Sequence, residues 1–155
     1  MARLVERGVR VVTTWLSSWD QHGHLFRNMH EMLPLLDASI AALVTDLRER
    51  GLDQDVTVVD MGEFGRTPRI NKDAGRDHWN EAGCVLLAGG GLRMGQVVGT
   101  TDSRDERPCN QPIRYQNIFA TLYHVLGIDP GQTLLDMGGR PLPLLDDRAP
   151  IAELV

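Results

Sequence analysis

The sequence predicts one α/β domain in which helices cover a largely parallel sheet. Short apolar, β-branched segments alternate with helical segments, and strands that are apolar throughout are typical of parallel sheets buried on both faces. The length of 155 residues fits one domain, residues 1–155, better than two. Hydrophobic residues make up 42% of the chain and charged residues 24%, so a core of useful size is expected.

The first half of the chain predicts two strands and a long helix. Residues 2–7 are typical of the last turns of a helix that ends at Gly8, so we expect a domain that is incomplete at its N-terminus. Residues 9–16 are rich in β-branched and aromatic side chains, which predicts a strand. Apolar residues at helical spacing predict a helix over residues 30–50, and residues 56–59 predict a second strand.

The second half predicts a functional loop, a third strand and a second helix. Residues 62–80 form a long polar loop, and ordered loops of this length in compact domains are usually functional. Residues 84–88 predict a buried strand, and we expect residues 9–14, 56–59 and 85–88 to be adjacent in the centre of the sheet. The tail, residues 138–155, is rich in proline and aspartate and is expected to wrap the surface. A second helix face ends at Gly127 and consists of Ile118, Leu122 and Val125.

Charge and hydropathy argue against two classes of partner. The formal net charge is −5 without a basic stripe, which disfavours a nucleic-acid-binding surface. Apolar runs stay well short of the ~18 residues that span a membrane, and the first residues do not read as a secretion signal. Two cysteines lack CxxC spacing, and Cys84 is expected to be a small buried residue.

Three polar clusters carry the candidate chemistry. Residues 19–24 and 62–67 each follow a predicted strand, and residues 75–79 close the same loop. Loops at the carboxyl ends of parallel strands meet at one edge of the sheet, where ligands bind. Their carboxylates and imidazoles are mixed oxygen and nitrogen donors, which suit zinc or manganese. The candidate ligands are Asp20, His22, Glu63 and His78, with His24 and Asp77 as further ligands or as residues that orient a ligand.

Two arginines in the same clusters suggest a small anionic ester as substrate. Arg66 and Arg76 could bind an oxyanion bidentately, and a cation beside guanidinium groups is what hydrolysis of phosphate or sulfate esters needs. The residues alone leave simpler roles open. Asp20 could cap a turn, Asp77 could orient His78, and Glu63 could pair with Arg66.

The motifs together resemble a known family. Residues 19–22 read Trp-Asp-x-His, residues 61–68 read Met-Gly-Glu-Phe-Gly-Arg-Thr-Pro, and residues 75–79 read Gly-Arg-Asp-His-Trp. In this order they resemble domain of unknown function 1501, which is similar to sulfatases of the alkaline phosphatase superfamily. The resemblance implies the C-terminal part of that fold, with metal ligands at the carboxyl edge of the sheet.

The same resemblance implies roles for individual residues. Asp20 and His22 match the family's Asp/His ligand segment, although the wider superfamily often spaces that pair so as to select His24. His78 resembles the late metal-binding histidine. Glu63 and Phe64 stand where many relatives carry an Asp-His pair, which puts a second metal site in doubt.

Two functions follow as expectations: a metal-dependent hydrolase of phosphate or sulfate esters, or a non-catalytic domain that binds an anion or serves as a scaffold. The superfamily places its nucleophile and first metal-binding aspartate ahead of the segment that this chain resembles, so we expect little turnover from this chain alone. A homodimer is expected to cover the exposed edge of the sheet. The cellular location stays open, because relatives tend to carry a twin-arginine export signal that these residues do not show. Five loop hydroxyls are available as nucleophiles, but no family motif marks any of them: Ser17, Ser18, Thr67, Thr100 and Thr101.

Overall fold

The computed structural model describes residues 1–16 and 19–155. Its helices are α1 (Ala2–Glu6), α2 (Leu25–Glu49) and α3 (Tyr115–Val125). Its strands pair two by two in four small antiparallel sheets. They are β1 (Thr57–Met61), β2 (Gly65–Arg66), β3 (His78–Trp79), β4 (Val85–Gly89), β5 (Thr100–Thr101), β6 (Pro108–Asn110), β7 (Thr133–Leu135) and β8 (Pro141–Pro143).

The predicted fold, a largely parallel sheet covered by helices as in the C-terminal part of an alkaline phosphatase/sulfatase-like fold, is wrong for this structure. A parallel pair needs a crossover connection, usually a helix. Between β1 and β4 the chain instead turns back through β2 and β3, so β1 and β4 run antiparallel, with Met61 opposite Val85. The result is a mixed arrangement of short sheets and few helices.

The pairs β1–β4 and β2–β3 are two successive antiparallel sheets along one long hairpin, called the ribbon below. β1 leads into β2 and β3 leads into β4, with Arg66 opposite His78 in the second pair. The Thr67 backbone N–H donates to the Asp77 carbonyl (2.9 Å) and continues the ladder beyond β2 and β3. Residues 68–76 therefore form the tip of the ribbon, where the sequence predicted a functional loop.

The segment expected to be the first central strand has no strand partner among the described residues. Residues 9–16 contain no assigned strand, and Val11 and Trp15 are 71% and 87% exposed. The predicted strand over residues 9–14 is therefore wrong, because β-branched composition forms a strand only where a neighbouring edge pairs with it. Residues 17 and 18, with the hydroxyls of Ser17 and Ser18, lie outside the described residues.

The helices agree better with the sequence. α1 ends before Gly8, which has a φ of +85°, as predicted. α2 begins five residues before the predicted start, so Pro34 lies inside the helix. α3 ends before Gly127 (φ +68°). Within residues 1–16 and 19–155, every helix is too short or too polar to cross the apolar layer of a membrane.

The hydrophobic core is small and includes the tail. Its buried residues are Leu92, Ile118, Ile151 and Leu154, so the end of the tail, which was expected to wrap the surface, contributes to the core. The Thr121 hydroxyl of α3 accepts the backbone N–H of Ile151 (2.9 Å) and fixes the tail to the helix. Cys84, expected to be buried, is exposed.

The accessible surface is large for the chain's size. It measures 11260 Å², whereas a compact monomer of this mass has about 7,800 Å². Apolar residues outside the core contribute to the excess, including Val11, Trp15 and Phe26. The homodimer that would cover such a surface stays a prediction.

Candidate metal centre

The end of the ribbon places two of the predicted site residues side by side. Arg66 of β2 and His78 of β3 are direct cross-strand partners. Residues that are directly opposite in an antiparallel pair have neighbouring side chains. The register therefore brings a guanidinium group next to an imidazole at one position of the ribbon.

The tip of the ribbon packs against the segment that precedes α2. The backbone N–H groups of His24 and Leu25 donate to the carbonyls of Asp73 and Ala74 (3.1 and 2.9 Å). At Gly75 the two backbones lie so close that a Cβ atom would stand 2.0 Å from the His22 carbonyl carbon. This packing carries Asp20 and His22 to His78, over more than fifty residues of sequence.

Three potential ligand atoms converge as a result. The Asp20 Oδ1 atom lies 3.0 Å from His22 Nε2 and 2.9 Å from His78 Nε2, and the two Nε2 atoms are 3.2 Å apart. A tetrahedral zinc ion with ligands at 2.0–2.1 Å holds them about 3.3 Å from one another. Asp20, His22 and His78 thus form a triangle of nearly the size that a divalent ion requires.

Asp77 orients His22 instead of joining the triangle. Its Oδ1 atom lies 2.7 Å from His22 Nδ1. An ionised carboxylate only accepts hydrogen bonds, so Nδ1 carries the proton and Nε2 presents its lone pair to the other ligand atoms when the ring is neutral. The hydrogen bond from His22 is also the main cause that lowers the pKa of Asp77, followed by that from Asn71. This carboxylate–histidine arrangement is common around bound metals, although the sequence suggested His78 as the partner of Asp77.

The Asp20 carboxylate is held in its ionised form. Its pKa is lowered from 3.8 to about 2, first by the hydrogen bond from His78 and then by that from Arg66. The Arg66 Nη1 atom lies 2.6 Å from Asp20 Oδ1. The Phe64 ring lies beside both partners. Its centroid is 4.2 Å from the centroid of the His78 ring and 5.7 Å from the guanidinium carbon of Arg66. The acid is therefore available as an anionic ligand over the whole neutral range.

Three other predicted residues are placed elsewhere. Glu63 is exposed, is not one of the three clustered ligands, and its charge is a secondary cause, after burial, of the raised pKa of Tyr115. His24 is the residue before α2 and has a left-handed backbone (φ 53°). Arg76 donates from Nη1 to the Thr67 carbonyl (2.8 Å), so its observed role is to hold the ribbon tip together.

One residue that organises the site was missed by sequence reasoning. Asn71 contacts the His22 carbonyl, the Asp77 carboxylate and two backbone N–H groups of its own loop. The available signal was its place in a loop with Asp73 and Gly75, because asparagine side chains commonly bind the backbone two residues onward.

The hydroxyl groups described near the site are engaged in local structure. Thr67 donates from its hydroxyl to the Arg69 carbonyl (2.9 Å) and accepts the Asp77 backbone N–H (3.1 Å). Thr101 donates to Asp105 in another loop (2.6 Å), and Thr100 contacts Cys109. Within the described residues, these contacts mark none of the three threonines as a nucleophile.

The family described as protein of unknown function (DUF1501) matches residues 1–155. The chain therefore belongs to this family. No curated protein and no solved structure matches the chain.

Proposed function

We propose that this member of the DUF1501 family binds a divalent cation, zinc or manganese, through Asp20, His22 and His78. The observation that supports the proposal is the triangle of ligand atoms, with edges of 2.9 to 3.2 Å. One carboxylate oxygen and two imidazole nitrogens are donors that both ions accept. The His22 Nε2 atom lies 3.0 Å from a carboxylate oxygen. In the neutral tautomer with the proton on Nδ1 both atoms are acceptors, and a cation relieves the repulsion between them.

We further propose that the ligand of the site is a phosphate or sulfate ester. A bound divalent ion polarises an ester oxygen. Arg66 lies beside the triangle through its contact with Asp20, and a guanidinium group binds the oxygens of phosphate in a fork geometry. On this proposal, the resemblance to sulfatases of the alkaline phosphatase superfamily lies in the groups that bind the ester, a metal ion and a guanidinium group.

The reaction class that fits this pair of groups is hydrolysis of the ester. Arg66 and the ligand triangle would hold the charged oxygens, and charge stabilisation of this kind is usually the largest catalytic contribution. A second function, anion binding without catalysis, is favoured by the hydroxyl of Thr67, which is engaged in the turn beside the site. For this chain alone we expect binding with little or no turnover.

Titration calorimetry with zinc and manganese tests the cation site. We expect one ion per chain and a loss of at least 10-fold in affinity for His78→Ala, since a direct ligand is removed and loss of even an orienting partner costs 10–100-fold. His30→Ala is the matched control, because His30 is an exposed histidine of α2. Affinity should also fall as the solution is acidified, because protons compete for the ligands. Equal binding by His78→Ala and the wild type would contradict the assignment.

Phosphate binding and aryl ester assays separate the two functions. Arg66→Ala should weaken phosphate binding to the zinc-loaded protein while metal binding remains, and Arg69→Ala, in the exposed part of the same loop, should leave both unchanged. Metal-dependent turnover of an aryl phosphate or aryl sulfate that Arg66→Ala removes would establish the hydrolase. Phosphate binding without turnover would establish the anion-binding alternative.

A further inference from the structure

The loop that carries Asp77 is organised by a single amide side chain. Asn71 Oδ1 accepts the backbone N–H groups of Asp73 (3.0 Å) and Gly75 (2.9 Å), which shapes the turn at the ribbon tip. Asn71 Nδ2 donates to the His22 carbonyl (3.0 Å) and to Asp77 Oδ1 (3.2 Å). The two ends of one amide therefore do different things: the oxygen shapes the loop and the nitrogen joins it to the site.

The nitrogen side holds both partners of a critical hydrogen bond. Asp77 Oδ1 accepts His22 Nδ1–H (2.7 Å) and the Asn71 amide at the same oxygen. The second contact of Asn71 Nδ2 is the backbone of His22 itself. This one group thereby limits the movement of the carboxylate relative to the imidazole, and the ring keeps Nε2 directed at Asp20 and His78.

We infer that Asn71 is a positioning residue of the metal centre: it holds Asp77 against His22 and so fixes the His22 tautomer that leaves Nε2 free for a cation. The inference rests on the proposed cation site, which it deepens. Residues that hydrogen-bond a metal-ligating histidine are worth about 10–100-fold in metal affinity, and Asn71 acts through such a residue, Asp77.

Two substitutions separate the two ends of the amide. Asn71→Asp keeps an oxygen for the N–H groups of Asp73 and Gly75 but replaces the Nδ2 donor with an acceptor. Asn71→Ser keeps a shorter oxygen that can still bind the turn and adds no charge. Asn80→Asp is the control for the added charge, because Asn80 is an exposed residue just beyond β3.

The first measurement is the position of the ring protons, by long-range proton–nitrogen NMR of histidine-labelled, metal-free protein at one fixed pH. In the wild type and in Asn80→Asp, His22 should carry its proton on Nδ1. In both Asn71 variants the signals should move towards an average of the two tautomers. Thermal unfolding of the same samples should show nearly equal midpoints. A loop that had simply unfolded would change both the unfolding midpoint and the His22 signals.

The second measurement is zinc affinity by chelator competition. Both Asn71 variants should bind zinc about 10–100-fold more weakly, and Asn80→Asp should bind like the wild type. Wild-type affinity and an unchanged His22 tautomer in both variants would overturn the inference. If the tautomer shifts as expected but the wild type binds neither zinc nor manganese, the proposed function fails and the positioning of His22 by Asn71 stands.

Discussion

The candidate metal centre and the hydrophobic core are held together by opposite means. Asp20, His22 and His78 are exposed side chains, kept in place by hydrogen bonds between the end of the ribbon and the segment that precedes α2. Ile118 and Leu154 are 5% and 7% exposed and belong to the apolar cluster around α3. Directional hydrogen bonds fix positions but contribute little net stability each, whereas apolar burial contributes stability without fixing direction.

This difference predicts that the two regions respond independently to mutation. The apolar cluster consists of Leu92, α3 and the tail together with the partly buried residues packed on them, while the centre is built from residues 20–22 and 66–78. Effects at distant sites without shared partners are usually additive. Core substitutions should therefore lower the free energy of unfolding and leave the affinity of the candidate centre for zinc unchanged. Substitutions at the candidate centre should lower the affinity for zinc and change the free energy of unfolding little.

The largest effect is expected in the core. Leu154→Ala should lower the free energy of unfolding by about 2–5 kcal/mol, through lost burial and the cavity that remains. Leu135→Ala is the matched control: Leu135 is 73% exposed, so its loss should cost less than about 1 kcal/mol. Urea titrations measure both changes. A weaker zinc affinity in folded Leu154→Ala would show that the centre depends on the core after all.

The next effect is expected where the two loop segments touch. In Gly75→Ala the new Cβ atom would meet the His22 carbonyl carbon at 2.0 Å, so the backbone that carries His22 must move. A displacement of about 1 Å loosens a metal centre noticeably, and we expect zinc affinity to fall by about 10-fold or more. Calorimetry provides the comparison with the wild type.

Gly62→Ala is the control for this change. Gly62 belongs to the same long segment, but a Cβ atom there would meet only the Phe64 carbonyl oxygen, at 3.7 Å, an ordinary contact. It should bind zinc like the wild type. If Gly75→Ala also binds normally, the close approach of the two backbones does not set the geometry of His22.

The same contrast explains which features the sequence could predict. The helix ends at Gly8 and Gly127 follow from local chain chemistry, since glycine accepts the positive φ that such ends require. The grouping of Asp20 with His22 and His78 was suggested by motifs around each residue, and the structure brings these three together.

Pairing of strands depends on partners far along the chain, and the prediction of a parallel sheet from the sequence was wrong. The apolar runs at β1 and β4 predict strands in both cases, but composition does not distinguish a parallel pair from the antiparallel ribbon that forms. Glu63 illustrates the same limit at the site. It lies in a suggestive motif three residues from Arg66, yet the direction of the ribbon leaves it outside the ligand triangle.

The smallest effect is expected from protonation of the centre. The pKa of Asp20 is lowered from 3.8 to about 2, first by the hydrogen bond from His78 and then by that from Arg66. A carboxylate whose pKa is lowered on folding stabilises the native state above its unfolded pKa, and the contribution is lost as pH falls through the folded value. This contribution should therefore be complete above about pH 4 and disappear towards pH 2. It should be small, because Asp20 is exposed and salt screens its charge.

Carbon NMR of the aspartate carboxyl groups measures this titration directly. His78→Ala should raise the pKa of Asp20 towards 3.8, and by more than Arg66→Ala does, because the hydrogen bond from His78 is the larger cause. Asp136 supplies an internal control in the same spectra. Its pKa is lowered mainly by the backbone and side chain of Arg140, so neither substitution should change it. A titration of Asp20 that stays near pH 2 in both variants would mean that neither the contact with His78 nor that with Arg66 holds the carboxylate in its ionised form, and the electrostatic link between Asp20 and the rest of the candidate metal centre would be lost.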